Sequence, residues 1–265
     1  IPVQGAVAIV LTTAERAPDV QQLLSQLPPG TPPPAKETLV AGALVFIAPR
    51  EAVPLNDVSQ WWKWVAGACW NHPEGPASTI DARMNHLPPE VVAEKICGIQ
   101  PFFLGISTIS EESVSWIEAL GKLLDSPSYL RHVCIGGYYP SLQPEAVLRR
   151  LPFVNSVARG EGEVTVIDLA ERIRLGEHWD DVESIAMRSV DGSIKINSRR
   201  PVVTDLDRLP FPKRYADQNS TEIVIEGSRG CFGRCTFCAV GPHFDAGHRF
   251  VWRGRSPENI VSEIL

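Results

Sequence analysis

Apolar positions along this chain recur in two rhythms. Short apolar runs at residues 43–47, 78–82, 102–107, 133–135 and 154–158 are bounded by turn residues, the pattern of strands buried on both faces of a parallel sheet. Between them lie stretches with helical spacing. Residues 88–99 carry Val92, Ile96 and Ile99 on one face behind two prolines that start a helix well. Residues 111–124 open with acidic side chains suited to a helix N-terminus, and 144–151 and 164–174 continue the series. Strands alternating with helices predict an α/β unit, doubly wound around a parallel sheet of Rossmann-like type, over residues 39–180. Such sheets receive ligands beyond the carboxyl ends of their strands, here the loops 107–110, 136–141 and 159–163.

The rhythm changes on either side of this unit. Residues 1–38 hold an apolar run, a short helical pattern around 19–27 and a proline-rich linker, and carry no functional reading. Residues 184–188 and 193–197 flank Asp191-Gly192, a strong hairpin signal. Leu209-Pro-Phe-Pro212 then enforces an extended connection, so residues 181–220 read as a hairpin bridge to a second unit. That unit, 221–265, starts with a strand at 222–226 and a turn at 227–230. It ends in a helix with Ser256 as N-cap and Pro257 at the first helical position.

Composition narrows the function. The net charge is −6, from 25 basic and 31 acidic residues, which leaves no basic face for a nucleic acid. No apolar run approaches the roughly 20 residues needed to span a bilayer. These features predict a cytoplasmic protein without a membrane or nucleic-acid partner. Of six cysteines, Cys231, Cys235 and Cys238 lie within eight residues, which reads as a metal site rather than a disulfide framework. Three thiolates on one loop suit an iron–sulfur cluster or zinc alike. Zinc would want a fourth protein ligand, and His243 and His248 are near enough in sequence to offer one. Cys69, Cys97 and Cys134 read as unligated, with Cys97 near the apolar face of a helix where a free thiol packs well.

The run Ser228-Arg-Gly-Cys231-Phe-Gly-Arg-Cys235-Thr-Phe-Cys238, a C-x3-C-x2-C spacing with an aromatic before the last cysteine, resembles the radical S-adenosylmethionine (SAM) superfamily. The resemblance implies that the three cysteines hold three irons of a [4Fe–4S] cluster on the first loop of a barrel. It leaves the fourth iron for the amino and carboxylate groups of SAM and sets Phe237 beside the adenine. The reduced cluster then cleaves SAM to a 5′-deoxyadenosyl radical; the cofactors carry this chemistry and the protein holds their reactive atoms. Gly136-Gly-Tyr-Tyr-Pro140, Arg159-Gly-Glu-Gly-Glu163, Asp205-Leu-Asp-Arg-Leu-Pro-Phe-Pro212 and Trp252-Arg-Gly-Arg-Ser-Pro-Glu258 follow the order of a subgroup with an N-terminal cobalamin-binding domain.

Cobalamin domains of this kind carry S-x-L and, about 27 residues on, G-G. Ser107-Thr-Ile109, 26 residues and Gly136-Gly137 resemble that pattern. The resemblance implies cobalamin contacts from Ser107, Thr108, Gly136, Gly137, Tyr138, Gly160 and Glu161. Their chemistry suits the task, since glycines let a backbone approach a ligand and Ser107 can hydrogen-bond it. The D-x-H-x-x-G motif is incomplete: Gly67 fits, but Trp64 stands at the histidine, so no histidine from this motif ligates cobalt. Trp61, Trp62, Trp64 and Trp70 suit the lower cobalt face or ordinary core packing.

The resemblance implies methylation of an unactivated carbon of a small molecule or peptide, with a flavodoxin or ferredoxin as electron donor. Its alternatives are a cobalamin-free radical enzyme for ring closure, rearrangement or methylthiolation, and a non-enzymatic zinc or iron–sulfur module. A radical SAM barrel typically takes about six strand–helix units, on the order of 200 residues, and residues 221–265 supply one. The expectation is an N-terminal portion of a longer enzyme, truncated after the cluster loop and inactive alone. Arg253 and Arg255 are expected either at an anionic group near the cluster or in surface salt bridges.

Overall fold

The computed structural model describes residues 44–48, 77–82, 86–212, 225–233, 235–244 and 252–265. The readings of residues 1–38, of Trp61, Trp62, Trp64, Gly67 and Trp70, and of Cys69 and His248 lie outside these.

Seven strands form one sheet in the order β2-β1-β3-β4-β5-β6-β7. β1 (Leu44–Ala48), β2 (Ser78–Asp81), β3 (Phe103–Ser107), β4 (His132–Gly136) and β5 (Ser156–Ala158) are parallel. Each expected strand is present with slightly different ends, and the helices follow the expected order. α1 (Pro89–Ile99), α2 (Val114–Leu124) and α4 (Pro144–Arg150) put Val92, Ile96, Ile117, Leu120, Val147 and Leu148 into the apolar core on one face. α5 (Glu163–Leu175) covers the other face with Val166, Leu169, Ala170 and Ile173. Helices on both faces make the sheet doubly wound, because each strand buries both of its sides.

The alternation along the strands is uneven, and the unevenness builds the site. Leu104, Ile106, Val133, Ile135 and Val157 fill the first face. Toward α5 the same strands present Gly105, Ser107, Cys134, Gly136, Ser156 and Ala158. Gly105 is in register with Cys134, Cys134 with Ser156, and Ser107 with Gly136. Two rows of small residues therefore run across the carboxyl half of the sheet and leave space beneath α5. Below them Phe103 stacks on the buried ring of His132, centroids 5.5 Å apart, and His132 Nε2 lies 2.8 Å from Ser156 Oγ. Burial pushes the His132 pKa down to about 3.

The structure corrects several expectations. The Asp191-Gly192 hairpin forms, as β6 (Ile185–Arg188) and β7 (Ile194–Ile196), but β6 pairs antiparallel with β5 and extends the sheet rather than bridging away from it. Arg188 explains the attachment: its guanidinium donates to the carbonyls of Leu148, Leu151 (2.8 Å) and Val154 (2.7 Å), closing the end of α4. Ile225 and Glu226, the described end of the expected strand at 222–226, are not in a strand; pairing begins in the expected turn, where β8 (Ser228–Arg229) meets β9 (Arg253–Gly254). Two short helices were not anticipated, α3 (Tyr138–Leu142) and α6 (Val240–Phe244). α7 (Pro257–Ile264) starts as read, Ser256 Oγ accepting from Asn259 N–H at 3.1 Å. Cys97 is exposed near the Tyr129 hydroxyl (3.4 Å), not packed in a core.

Candidate functional site

One cavity lies at the carboxyl end of the sheet and another at the cysteine loop. The first, about 670 Å³ counted out into open solvent, is bounded by the small-residue rows, the start of α5, Arg229, and His243 and Phe244 of α6. Ser107, Gly136, Gly137, Gly160 and Glu161, five residues expected to contact cobalamin, line it together. Thr108 and Tyr138 do not. Thr108 is buried, its hydroxyl bonded to the Ser110 carbonyl at 3.1 Å and to Ser113 Oγ. Tyr138 lies against the His243 ring at 4.3 Å, where burial drives its hydroxyl pKa well up.

Gly137 has a local reason of its own. Its φ is +105°, and a Cβ there would lie 2.1 Å from the Thr108 carbonyl oxygen. The glycine lets the end of β4 pass against the end of β3, where Thr108 N–H donates to Gly136 O at 2.9 Å. Ser141 of α3 then accepts from Gly160 N–H at 2.9 Å and sets the 159–163 loop at the cavity rim.

The second cavity, open to solvent and about 720 Å³, is lined by Cys231, Cys235 and Cys238 with Gly233, Thr236, Gly241 and Pro242. The loop curls around Gly233, whose N–H donates to Cys231 Sγ at 3.3 Å. A Cβ on Gly233 would sit 3.4 Å from Cys231 Sγ and 3.6 Å from Cys235 Sγ, so both sulfurs lie against the space that a glycine leaves free. This donor set fits a cubane, in which each thiolate takes a different iron and backbone N–H groups bond to sulfur. Among the described residues no three His, Cys, Asp or Glu side chains converge on one ion. His243 faces the other cavity, packed between Tyr138 and Phe244, and burial pushes its pKa down to about 3. Phe237 is 91% exposed beside the cysteines, and Phe232 stacks on Trp252 with centroids 5.1 Å apart.

A buried ion network ties the rim of the first cavity to the start of the cysteine loop. Arg229, two positions before Cys231, donates to Glu161 (2.9 Å), Glu163 (2.6 Å) and Glu226 (3.0 Å) and is 3% exposed. Arg253 Nη1 reaches Glu161 at 2.9 Å and the Val203 carbonyl at 2.6 Å. Burial alone would raise the Glu161 pKa, but Arg229 and Arg253 outweigh it and hold the carboxyl below its usual range. At Glu226 burial prevails over Arg229 and raises the pKa. Arg253 and Arg255 are thus internal rather than surface salt bridges: Arg255 pairs with buried Glu263, bonds the Glu226 carbonyl at 3.0 Å and lies over the Phe211 ring. Asp207 accepts from Ser256 N–H at 2.9 Å. The segments 159–163, 205–212 and 252–258, read separately in the sequence, are one docking surface.

Sequence reasoning missed Gly105, Cys134 and Ala158 as cavity residues. The available signal was the alternation of large and small residues along three strands. The positions of His243 and Phe244 had no such signal, because a five-residue helix shows too little periodicity to read.

No family model matches the chain. Over 198 residues, 72% of its length, it is 26% identical to an uncharacterised methyltransferase of Pyrococcus horikoshii, of which it covers 42%. It is 26% identical over 196 residues, 70% of its length, to the anaerobic magnesium-protoporphyrin IX monomethyl ester cyclase of Rubrivivax gelatinosus, covering 34% of that protein. A shorter likeness, 50% over 48 residues, links 18% of the chain to 16% of the formylglycine-generating enzyme of Mycobacterium tuberculosis. Among solved structures, the radical SAM methyltransferase TsrM from Kitasatospora setae aligns with a TM-score of 0.64 and 14% identity, over 84% of this chain and 45% of that one. The cobalamin-dependent SAM radical enzyme OxsB aligns with a TM-score of 0.66 and 20% identity, over 85% of this chain and 31% of that one. At these identities the structures speak for the fold. The chain spans less than half the length of the methyltransferase and the cyclase. The methyltransferase, the cyclase, TsrM and OxsB agree with the class that the cysteine and glycine motifs resemble.

Proposed function

We propose that these residues form the cofactor-holding part of a cytoplasmic radical SAM enzyme that also uses cobalamin and methylates an unactivated carbon of a small molecule or peptide. One observation carries the reading: the three-cysteine loop is clamped, through Arg229, directly beside a strand-end cavity lined by small residues. When bound, the cluster with SAM supplies a carbon-centred radical and cobalamin supplies the methyl group.

In this reading Cys231, Cys235 and Cys238 hold three irons, and the Gly233 N–H stabilises the Cys231 thiolate. Phe237 offers its open face to the adenine. Ser107, Gly136, Gly137, Gly160 and Glu161 enclose the buried end of the corrinoid, while the small side chains of Gly105, Cys134 and Ala158 leave depth for it. Arg229 and Arg253 fix the distance between the two cofactors. A flavodoxin or ferredoxin supplies the electron.

Anaerobic reconstitution of the 265-residue chain with iron and sulfide, then with hydroxocobalamin, tests this. The expected result is about four irons per chain and equimolar cobalamin, with iron lost on replacing any of the three cysteines by alanine. Iron without cobalamin would favour a cobalamin-free radical enzyme. Zinc in place of iron would sink both.

A further inference from the structure

Glu163 lines the strand-end cavity and pairs with Arg229, two positions before the first cysteine. Oε1 receives the Arg229 Nη2–H at 2.6 Å, while Oε2 is buried and has no hydrogen-bond partner among the described residues. The side chain is 4% exposed and lines the strand-end cavity. A buried carboxylate oxygen left without a donor costs free energy, and the sheet tolerates few such atoms. The cavity that Glu163 lines is otherwise walled here by Gly105, Ile106, Cys134, Gly136, Ala158 and Val166, so its carboxylate is a polar group in a mostly apolar recess.

We propose that Glu163 Oε2 is the acceptor that recognises the cavity's ligand, which must present an O–H or N–H donor at that point. This rests on the cobalamin reading, in which the donor is either a hydroxyl of the nucleotide loop or an amide of the corrin ring. Because the other oxygen holds Arg229, the ligand and the residue leading into the cluster loop share one carboxylate.

Glu163→Gln inverts the polarity of this contact without changing its shape. Arg229 carries donors only, so it selects the amide oxygen, and the amide NH2 turns to the cavity as a donor facing a donor. In equilibrium dialysis against hydroxocobalamin, followed by cobalt analysis, the wild-type chain binds and Glu163→Gln binds roughly tenfold to hundredfold more weakly. The ligand-free unfolding midpoint reads separately any loss from neutralising Glu163 beside the buried Arg229. Glu163→Asp, which keeps the charge but withdraws the oxygen, is expected to weaken binding too, and carries the test alone if the glutamine variant does not fold. A parallel titration with cobinamide, which lacks the nucleotide loop, locates the donor: a loss that persists assigns it to a corrin amide, and a loss that vanishes assigns it to the nucleotide loop. Wild-type affinity in both variants would overturn the role of Glu163 and leave the cobalamin reading standing. Failure of the wild-type chain itself to take up cobalamin would overturn both.

Discussion

The sheet and the cysteine segment are held together by different forces. The sheet buries two apolar layers, one on each face, and its large side chains are almost fully enclosed. Residues 225–265 have little of this. Among their described residues only Ile225 and Phe244 are buried apolar side chains, and α7 buries none. Their fixed points are the buried arginines Arg229, Arg253 and Arg255, each paired with a carboxylate. Apolar packing is tolerant of detail and supplies most of a fold's stability. Buried ion pairs contribute little net stability, but they penalise every arrangement that leaves one charge alone. The contrast assigns stability to the sheet and registration to the segment.

The sharpest way to break that contrast is Arg229→Ala. It leaves Glu161, Glu163 and Glu226 around a vacated guanidinium, with only Arg253 still paired to Glu161. Breaking one side of a buried pair costs about 3–5 kcal/mol. The expected outcome is faster amide exchange and proteolysis across 225–265, with the unfolding midpoint of the sheet nearly unchanged. Simultaneous loss of both regions would show that they are one cooperative unit.

The next largest effect belongs to the sheet. Gly137→Ala forces a Cβ against the Thr108 carbonyl at a positive φ, whereas Gly176, also at positive φ, has nothing within 4 Å. At both sites an alanine in the left-handed region costs about 1–2 kcal/mol, and at Gly137 the clash with the Thr108 carbonyl adds to it. Thermal unfolding should therefore separate Gly137→Ala from Gly176→Ala. Equal losses would mean that the close approach of β3 and β4 is not what requires the first glycine.

Acid should weaken the sheet through His132. Its pKa is about 3 in the folded state because burial disfavours the cation, against roughly 6.5 when unfolded. Between those values the unfolded chain binds the proton first. The contribution is complete above pH ~6.5 and falls by up to about 1.4 kcal/mol per pH unit as the pH drops toward 3. His132→Gln can keep a hydrogen bond to Ser156 without a titrating ring, so its urea midpoint should lose this slope. An unchanged slope would place the acid sensitivity elsewhere.

The contrast also explains what the sequence disclosed. Strands and long helices were legible because burial imposes a period on many residues together, as at Val92, Ile96 and Ile99. The cysteines were legible because ligand chemistry constrains their spacing. The docking network was present in the sequence only as separate charged motifs: Glu161 and Arg229 lie 68 residues apart, and no local pattern records that they meet. Arg253 and Arg255 were open to a surface reading for the same reason. The hairpin was identified from Asp191-Gly192, but its place in the sheet depends on Arg188 reaching the end of α4, a contact with no periodic trace.

The smallest expected effect tests whether the segment's helix belongs to the docking surface or merely follows it. Ser256 is tied twice: its Oγ accepts from Asn259 N–H at 3.1 Å, and its own N–H donates to Asp207 Oδ1 at 2.9 Å. The first bond caps α7; the second anchors that cap to the 205–212 segment. Ser256→Ala removes the first, along with the hydroxyl's hold on the Asp207 carboxylate, and should cost about 1 kcal/mol. Asp207→Ala removes the second and that same hold. If the cap and the anchor act as one, the double variant should lose less than the sum of the two single losses, because either change alone already frees the start of α7. Amide exchange at Ile260, whose N–H bonds the Ser256 carbonyl at 3.1 Å, reads this directly. Simple additivity would mean that α7 holds its cap wherever the sheet lies. The docking surface would then reduce to Arg229, Arg253 and Arg255.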